Sequence, residues 1–201
     1  MNRWISPLVV FLSMGAWALL HSWLATLSTK AMFERLAGEG IRRYYRLMYV
    51  TVAVITLLPG LAMVVFLPSR LLWVIPTPWL YLTLSLQGLA LLGLLITVLQ
   101  VDTLAFIGLR QLRQPDVEAH NKLVTRGFYR WVRHPLYCFS LVLLWLFPYM
   151  TDLTLAFIIA ASLYFLIGTV PEERKLVAVY GESYRQYQRE VPRMIPFLKI
   201  F

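Results

Sequence analysis

The chain has 201 residues, of which 59% are hydrophobic and only 14% are charged, and its formal net charge is +9. Soluble domains carry about 25% charged residues, so this composition excludes an ordinary soluble domain and indicates a membrane protein. The single cysteine, Cys138, excludes an intrachain disulfide and a cysteine-based metal cluster. The sequence has no internal repeat and no long linker, which predicts one membrane domain over residues 1–201.

Long apolar runs predict an all-α integral membrane protein with five transmembrane helices. The first three runs are long enough to cross a hydrocarbon core of ~30 Å. The last two are short and are separated by Thr151-Asp152, so they predict a tight helical hairpin. The predicted spans cover residues 4–24, 45–67, 79–108, 136–150 and 153–170.

The basic residues are distributed unequally between the two sides of these spans. Of the 19 Lys and Arg residues, all except Arg3 and Arg70 lie in the tail or in the segments that follow spans one and three. The positive-inside rule assigns those segments to the cytoplasm, so the N-terminus is predicted outside and the C-terminus inside. Topology and attraction to anionic membrane lipid account for the net charge, and nucleic acid is not predicted as a partner.

The tail is predicted to form a helix over residues 171–188 that caps the cytoplasmic face. Glu172 and Glu173 are predicted to begin this helix, since acidic residues favour a first turn. Apolar and aromatic side chains at helical spacing, among them Tyr184 and Tyr187, form one face of it.

Ionisable residues recur at the cytoplasmic ends of the predicted spans. Because charges are costly within a membrane, such residues are candidates for a functional site. Snorkelling to the interface and ties between helices are the structural alternatives. The residues are His21, Asp102, Arg110, Arg133, His134, Glu172 and Glu173.

These residue types favour a ligand that carries both charges and an aromatic base. The sequence has no Gly-rich phosphate loop, no serine nucleophile elbow and no His-Glu-x-x-His motif, and its three scattered histidines do not predict a metal site. Carboxylates bind an amino group, aromatic rings contact a sulfonium or a purine, and arginine binds a carboxylate. S-adenosylmethionine combines all of these groups and is the predicted cofactor.

The segments LVTRGFYRWVRHPLY and PEERKLVAVYGESYRQYQREVPRMIP resemble the isoprenylcysteine carboxyl methyltransferase and phospholipid methyltransferase superfamily of integral membrane enzymes. This pattern covers residues 121–196. Upstream, His21-Ser22, residues 42–49 and VDTLAFIGLRQL resemble the bacterial methanethiol S-methyltransferase and NnrU-type branch. The resemblance implies a methyltransferase of the bacterial inner membrane that uses S-adenosylmethionine.

The resemblance also implies which residues bind the cofactor. Backbone groups at positions 123–124 and the ring of Tyr129 would line the adenosine, residues 134–137 would contact the methionine portion, and Glu172 would hold a polar end. The implied cofactor-binding residues are Leu123, Val124, Tyr129, Arg133, His134, Pro135, Leu136, Tyr137, Glu172, Glu173, Tyr184 and Tyr187.

The acceptor is predicted to be a small or lipophilic molecule, and a thiol fits best. Prenylcysteine enzymes carry an arginine that meets the substrate carboxylate where this chain has Gly168. A thiol must lose its proton to react, and His21, Asp102 and Arg110 are predicted to activate or hold it. The alternatives are carboxyl methylation of an isoprenylcysteine-like substrate, phospholipid N-methylation, and a non-enzymatic NnrU-type protein of nitrogen-oxide metabolism.

Overall fold

The structure is a computed structural model that describes residues 5–114, 123–196 and 198. Most of these residues are helical, and one short two-stranded sheet pairs Leu71–Val74 with Tyr149–Thr151. Two 3₁₀ turns, Arg110–Leu112 and Gly127–Arg130, flank the part of the chain that is not described. The helices and strands are α1 (Ile5–Leu24), α2 (Leu27–Ala37), α3 (Ile41–Phe66), β1 (Leu71–Val74), α4 (Trp79–Gln100), α5 (Thr103–Ile107), α6 (Pro135–Trp145), β2 (Tyr149–Thr151), α7 (Asp152–Tyr180) and α8 (Glu182–Glu190).

Four helices, α1, α3, α4 and α7, are long and apolar enough to cross a membrane, and α6 is a shorter apolar helix. Large apolar side chains on these helices are exposed, including Leu19 at 75%, Val65 at 72% and Leu99 at 76%. So much exposed apolar surface is unfavourable in water but favourable in lipid. The chain is therefore a multi-pass integral membrane protein.

The predicted third span, residues 79–108, is too long. Helix α4 ends at Gln100, and Val101 is extended. Asp102 then caps the separate short helix α5, because its carboxylate accepts a hydrogen bond from the backbone N–H of Ala105 at 3.1 Å. Asp102 thus lies outside α4, where an N-cap carboxylate satisfies a free amide.

The prediction that Glu172 and Glu173 begin a new helix is also wrong. Helix α7 continues from Asp152 through Pro171 to Tyr180, so both glutamates lie within it. The break comes ten residues after Pro171, at Gly181, which has a positive φ of 58°. Helix α8 begins only at Glu182, so the predicted fifth span continues into the first part of the predicted tail helix, and the rest of that tail helix is α8.

The fourth predicted span, residues 136–150, is helical only in part. Helix α6 has 11 residues and ends at Trp145, after which the chain turns into β2. At 1.5 Å per residue this helix is about 16 Å long, roughly half of a hydrocarbon core.

The described residues cluster into two compact units. The first draws its residues from positions 1–72, 102–121 and 151–164. The second draws them from positions 73–101, 122–150 and 165–201. The prediction of a single functional domain stays a prediction.

In the first unit, α1 packs along α3. Trp17 of α1 donates its indole N–H to the backbone carbonyl of Ala53 at 2.9 Å, and the hydroxyl of Tyr45 donates to the carbonyl of Leu24 at 2.6 Å. After α5 the chain approaches α3 closely at Gly108, which has a φ of 96°. A Cβ atom there would clash with the backbone of Leu47, so only glycine fits.

In the second unit, α6 runs antiparallel to α4. Phe139 of α6 fills the space beside Gly93, and Gln87, nearer the start of α4, donates to the carbonyl of Leu143 at 2.9 Å. Beyond the end of α6, the amide of Ile75 donates to the carbonyl of Pro148 at 3.0 Å. The residues after α6 therefore continue alongside the chain that leads into α4.

Candidate functional site

Glu173, a side chain of α7, is the centre of a buried polar cluster in the second unit. Its side chain is 6% exposed, and it accepts four hydrogen bonds. Arg133 donates to both carboxylate oxygens, at 2.7 and 3.2 Å, and His134 donates through Nε2 to Oε1 at 3.1 Å. Gln188 of α8 donates to Oε2 at 2.9 Å. A buried carboxylate is stable only with such partners, and here all come from the protein.

Arg133 ties this cluster to the tail. Its Nη1 donates to the backbone carbonyls of Gln188 and Val191, at 3.0 and 2.6 Å. These carbonyls end α8, where they lack helical partners and where a cation is favoured. The backbone amides of Arg133 and His134 donate to the carbonyls of Pro192 and Arg193, at 2.9 and 3.0 Å. Side chain and backbone thus hold the tail along residues 133–134.

Glu172 has a different environment from its neighbour Glu173. Its side chain is 36% exposed, and its Oε2 accepts a hydrogen bond from the Tyr137 hydroxyl at 2.7 Å. The same oxygen lies 3.7 Å from Nδ1 of His134. The Tyr137 ring is stacked between His134 and Phe165, with ring centroids 5.4 and 4.9 Å away. A carboxylate that reaches solvent beside stacked rings is suited to a cationic ligand.

Tyr129 and the aromatic residues of α8 lie around this cluster. The Tyr187 hydroxyl donates to the carbonyl of Tyr129, and Tyr184, Tyr187 and Val191 form a buried apolar group on which Leu123 packs. Burial, and then the charge of Glu172, raise the pKa of Tyr129 to about 12. Tyr129 is therefore neutral at physiological pH and lies within the electrostatic reach of Glu172.

The turn that carries Tyr129 depends on Gly127. This residue has a φ of 64°, and a Cβ atom would overlap the side chain of Gln100 at the end of α4. The Oε1 atom of Gln100 accepts the backbone N–H of Phe128 at 3.2 Å. Glycine is thus required at the point where the site segment meets α4.

The remaining predicted cofactor residues lie on the same segment. Val124 is half-buried, Pro135 is the buried first residue of α6, and Leu136 follows it half-buried. The second unit therefore contains the whole predicted cofactor set, although Arg133, Glu173 and Tyr187 use their polar groups on the protein itself.

Two buried polar atoms of the second unit have no hydrogen-bond partner among the described residues. They are the hydroxyl of Tyr184 and Nε of Arg193. Tyr184 is 1% exposed, and burial followed by the charge of Glu173 raises its pKa above the ordinary range. Unsatisfied buried groups are costly, so a water molecule or a polar ligand that binds these atoms would be stabilised.

The predicted catalytic residues all lie in the first unit, where His21 pairs with Tyr49. Their Nε2 and hydroxyl oxygen are 2.6 Å apart. Trp17 stacks on the imidazole with ring centroids 5.0 Å apart, and Tyr164 contacts its edge. Nδ1 of His21 is buried and has no hydrogen-bond partner among the residues that the structure describes.

Asp102 and Arg110 form an ion pair with each other. Both side chains are partly exposed, at 32% and 44%, and Asp102 also caps α5. These contacts are sufficient to explain both residues structurally. Within the described ranges no group of His, Cys, Asp or Glu has the arrangement of a metal site.

Sequence reasoning missed three residues of these clusters. Tyr49 is one of several aromatic residues in an apolar helix, and Gln188 is polar among other polar residues. Arg193 is indistinguishable in the sequence from the other basic residues of the tail. Only its position between the two prolines of the Val-Pro-x-x-x-Pro segment separates it from them.

Comparisons with known proteins find similarities that extend over most of the chain. Residues 9–191 match the family described as "Protein of unknown function (DUF1295)". Methanethiol S-methyltransferase of Crocosphaera subtropica is 31% identical over 195 residues, which are 92% of this chain and 72% of that protein. Methanethiol S-methyltransferase 1 of Bradyrhizobium diazoefficiens is 29% identical over 194 residues, 94% of this chain and 67% of that protein.

A more distant similarity is confined to part of the chain. Protein-S-isoprenylcysteine O-methyltransferase of Schizosaccharomyces pombe is 34% identical over 83 residues, 38% of this chain and 34% of that protein. No solved structure matches the chain.

Proposed function

The chain belongs to the DUF1295 family, and on that premise we propose that it is an integral membrane methyltransferase that uses S-adenosylmethionine to methylate a thiol. The relatives that align with most of the chain are methanethiol S-methyltransferases, which supports this reaction and this class of acceptor. The similarity to an isoprenylcysteine methyltransferase supports the wider relationship.

The observation that carries the proposal is the difference in environment between the side chains of Glu172 and Glu173. Glu173 is buried and fully hydrogen-bonded, whereas Glu172 is partly exposed beside the stacked His134, Tyr137 and Phe165 rings. An exposed carboxylate next to aromatic faces fits the ammonium and sulfonium of S-adenosylmethionine. When bound, this cofactor would supply a methyl group on a positively charged sulfur for transfer to a thiolate, with S-adenosylhomocysteine as the leaving product.

The protein's part in such a reaction is mainly alignment and exclusion of water. We assign Glu172, His134 and Tyr137 to the methionine portion, with Pro135 and Leu136 at the start of α6 beside them. Tyr129 and the backbone at residues 123–124 are assigned to the adenosine. Arg133, Glu173 and Tyr187 support these groups through the contacts that they make with the tail.

A thiol fits the acceptor role better than a prenylcysteine carboxylate. Gly168 stands in α7 one turn before Glu172, and a glycine offers no cation for a substrate carboxylate. The thiolate is the reactive form of a thiol, so the reaction needs a group that takes its proton. Of the three predicted catalytic residues, His21 has a buried nitrogen free to do so, whereas Asp102 and Arg110 pair with each other.

We propose five membrane crossings, with the N-terminus outside and the C-terminus in the cytoplasm of a bacterium. The charge distribution supports the orientation. Antiparallel contacts from Phe139 to Pro148 support a fourth crossing in which α6 is completed by extended chain. Helix α4 is about 33 Å long, so a segment that follows it over that length crosses the membrane.

The test is calorimetric titration of the detergent-solubilised protein with S-adenosylmethionine and S-adenosylhomocysteine. We expect Glu172→Gln to weaken binding of both ligands about 10-fold or more, because a charge-assisted contact is lost. Its thermal stability should match that of the wild type. Glu173→Gln should instead lower the free energy of unfolding by about 3–5 kcal/mol, since it leaves a buried arginine without its counter-charge.

A wild-type protein that is folded and binds neither ligand would contradict the proposed function and would favour the non-enzymatic alternative. Transfer of labelled methyl groups to methanethiol, longer thiols, prenylcysteine and phosphatidylethanolamine then identifies the acceptor. Methylation of prenylcysteine alone would refute the thiol assignment and the significance of Gly168.

A further inference from the structure

Arg133, the arginine of the Arg-His-Pro segment, has almost no hydrogen-bonding capacity left for a ligand. A guanidinium has five N–H donors. Four contacts already occupy those of Arg133: two with the Glu173 carboxylate and two with the carbonyls that end α8. The side chain is 7% exposed. Its role is to hold the tail against α7.

Arg193 is in the opposite situation. Its Nε is buried and makes no hydrogen bond with any described residue, although the side chain as a whole is 27% exposed. The nearest carboxylate oxygen, Oε2 of Glu173, is 3.9 Å away, which is too long for a hydrogen bond. The four acceptor positions of Glu173 are already used by Arg133, His134 and Gln188, so Arg193 cannot improve this contact.

The backbone keeps Arg193 beside the site. Its carbonyl accepts the N–H of His134 at 3.0 Å, and its guanidinium approaches the carboxylate that holds the His134 ring. The position of Arg193 is therefore fixed by the same residues that position His134.

The buried His134–Glu173 pair thus has an anion and a cation near it. Glu172 lies 3.7 Å from His134, and Arg193 lies 3.9 Å from Glu173. The unpartnered Tyr184 hydroxyl belongs to the same second unit, and the charges of Glu172 and Glu173 both act on it. A carboxylate binds the ammonium of an α-amino acid, and a guanidinium binds its carboxylate.

We propose that Arg193, and not Arg133, binds the carboxylate of the amino-acid head group of the cofactor. This inference rests on the proposed function and names the residue that recognises that group. Glu172 takes the ammonium and Arg193 takes the carboxylate. Arg133 is a positioning residue that acts through Glu173 and the tail.

The experiment compares ligands that differ only in the head group. The wild type, Arg193→Gln and the control Arg185→Gln are titrated with S-adenosylhomocysteine, its decarboxylated analogue and 5′-methylthioadenosine. Arg185 is an exposed arginine of α8 that pairs with Glu182. We expect Arg193→Gln to lower the affinity for S-adenosylhomocysteine about 10- to 100-fold, and the affinities for the two ligands without a carboxylate by less than about 2-fold. Arg185→Gln should bind all three as the wild type does.

The wild type alone supplies a second measurement, which does not depend on the folding of a variant. Removal of the ligand carboxylate should weaken binding to the wild type by the same 10- to 100-fold factor. If Arg193→Gln weakens all three ligands equally, or if the wild type binds the decarboxylated analogue as tightly as S-adenosylhomocysteine, the inference is wrong while the proposed function stands. If the wild type binds neither S-adenosylhomocysteine nor S-adenosylmethionine, the proposed function itself is wrong.

Discussion

At the scale of single residues, His21 and Tyr49 are the polar pair best suited to acid–base chemistry outside the proposed cofactor residues. Nε2 of His21 pairs with Tyr49, Nδ1 has no hydrogen-bond partner within residues 5–114, 123–196 and 198, and Trp17 holds the ring by stacking. A fixed imidazole with one free nitrogen suits proton transfer from a weak acid.

A series of thiols of different acidity tests this role. We expect His21→Gln to lower the rate of methanethiol methylation about 100-fold, because the variant lacks a base. Thiophenol, which is more acidic and already largely ionised at neutral pH, should lose much less activity. The readout is labelled methyl transfer at a saturating cofactor concentration.

The control for this series is Asp102→Asn, which disturbs the ion pair with Arg110 and leaves His21 intact. Any loss of activity in that variant should be the same for both thiols. Equal losses for both thiols in His21→Gln would show that His21 has only a structural role.

The sequence predicts the residues of the candidate site better than it predicts their partners. His134, Tyr137 and Glu172 are predicted from their chemistry and from the family resemblance, and the structure places them together. The hydrogen-bond partners of Arg133 are not predicted, because they lie 40 to 58 residues away along the chain. No local pattern distinguishes a glutamate that has four protein donors from its neighbour that has one.

At the scale of elements, α8 is the helix that completes the candidate site. Tyr184 and Tyr187 lie on its buried face and pack against Val191, while Gln188 and the carbonyl groups at its end reach Arg133 and Glu173. Apolar packing and polar contacts therefore both hold α8 in its place. A substitution that weakens the packing should also weaken the hydrogen bonds, and the reverse.

Alkaline pH should release this helix. Burial raises the pKa of Tyr129 to about 12 and raises those of Tyr184 and Tyr187 beyond the ordinary range. In the unfolded chain tyrosine titrates near pH 10. Above about pH 10 the unfolded chain therefore binds fewer protons than the folded chain, and the free energy of unfolding falls as pH rises. Below about pH 9 these groups should cause no pH dependence.

The measurement is the denaturant midpoint in micelles between pH 8 and pH 11.5. Tyr187→Phe should flatten the decline, since it removes one of the titrating groups. Tyr81→Phe, at an exposed position of α4, should leave it unchanged. A decline equally steep in all three proteins would contradict the assignment to the buried tyrosines.

The ends of the elements were harder to predict than their existence. The Glu-Glu pair after Pro171 has the composition of a helix start, yet α7 passes through it. Pro171 removes one backbone N–H from the hydrogen bonds of α7 and does not end the helix. The end of α4 is set by Asp102, whose capping bond to Ala105 favours a new turn over a continued helix. An apolar run alone contains neither signal.

At the scale of the whole molecule, the question is how many times the chain crosses the membrane. Helix α6 is too short to cross alone, but β2, which follows it, pairs with β1, which precedes α4. Because paired strands lie at the same depth, residues 73 and 149 should be exposed on the same side of the membrane.

Cysteine labelling tests this topology. In a Cys138→Ser background, Trp73→Cys and Tyr149→Cys should both react with a membrane-impermeant maleimide on intact cells. Glu182→Cys, in α8, should react only after permeabilisation, because the C-terminal side is cytoplasmic in the proposed topology. If Tyr149→Cys also required permeabilisation, the fourth crossing would not exist.

The pairing of residues 133–134 with residues 192–193 has a consequence for biosynthesis. The amides of Arg133 and His134 and the Nη1 atom of Arg133 obtain their hydrogen-bond partners from residues 188–193, which are translated 55 or more residues after Arg133. While the ribosome still covers those residues, the nascent protein has membrane helices but lacks these contacts of the proposed cofactor site. A chain interrupted during insertion would therefore occupy the membrane without consuming its methyl donor, and activity would begin only after synthesis has passed residue 193.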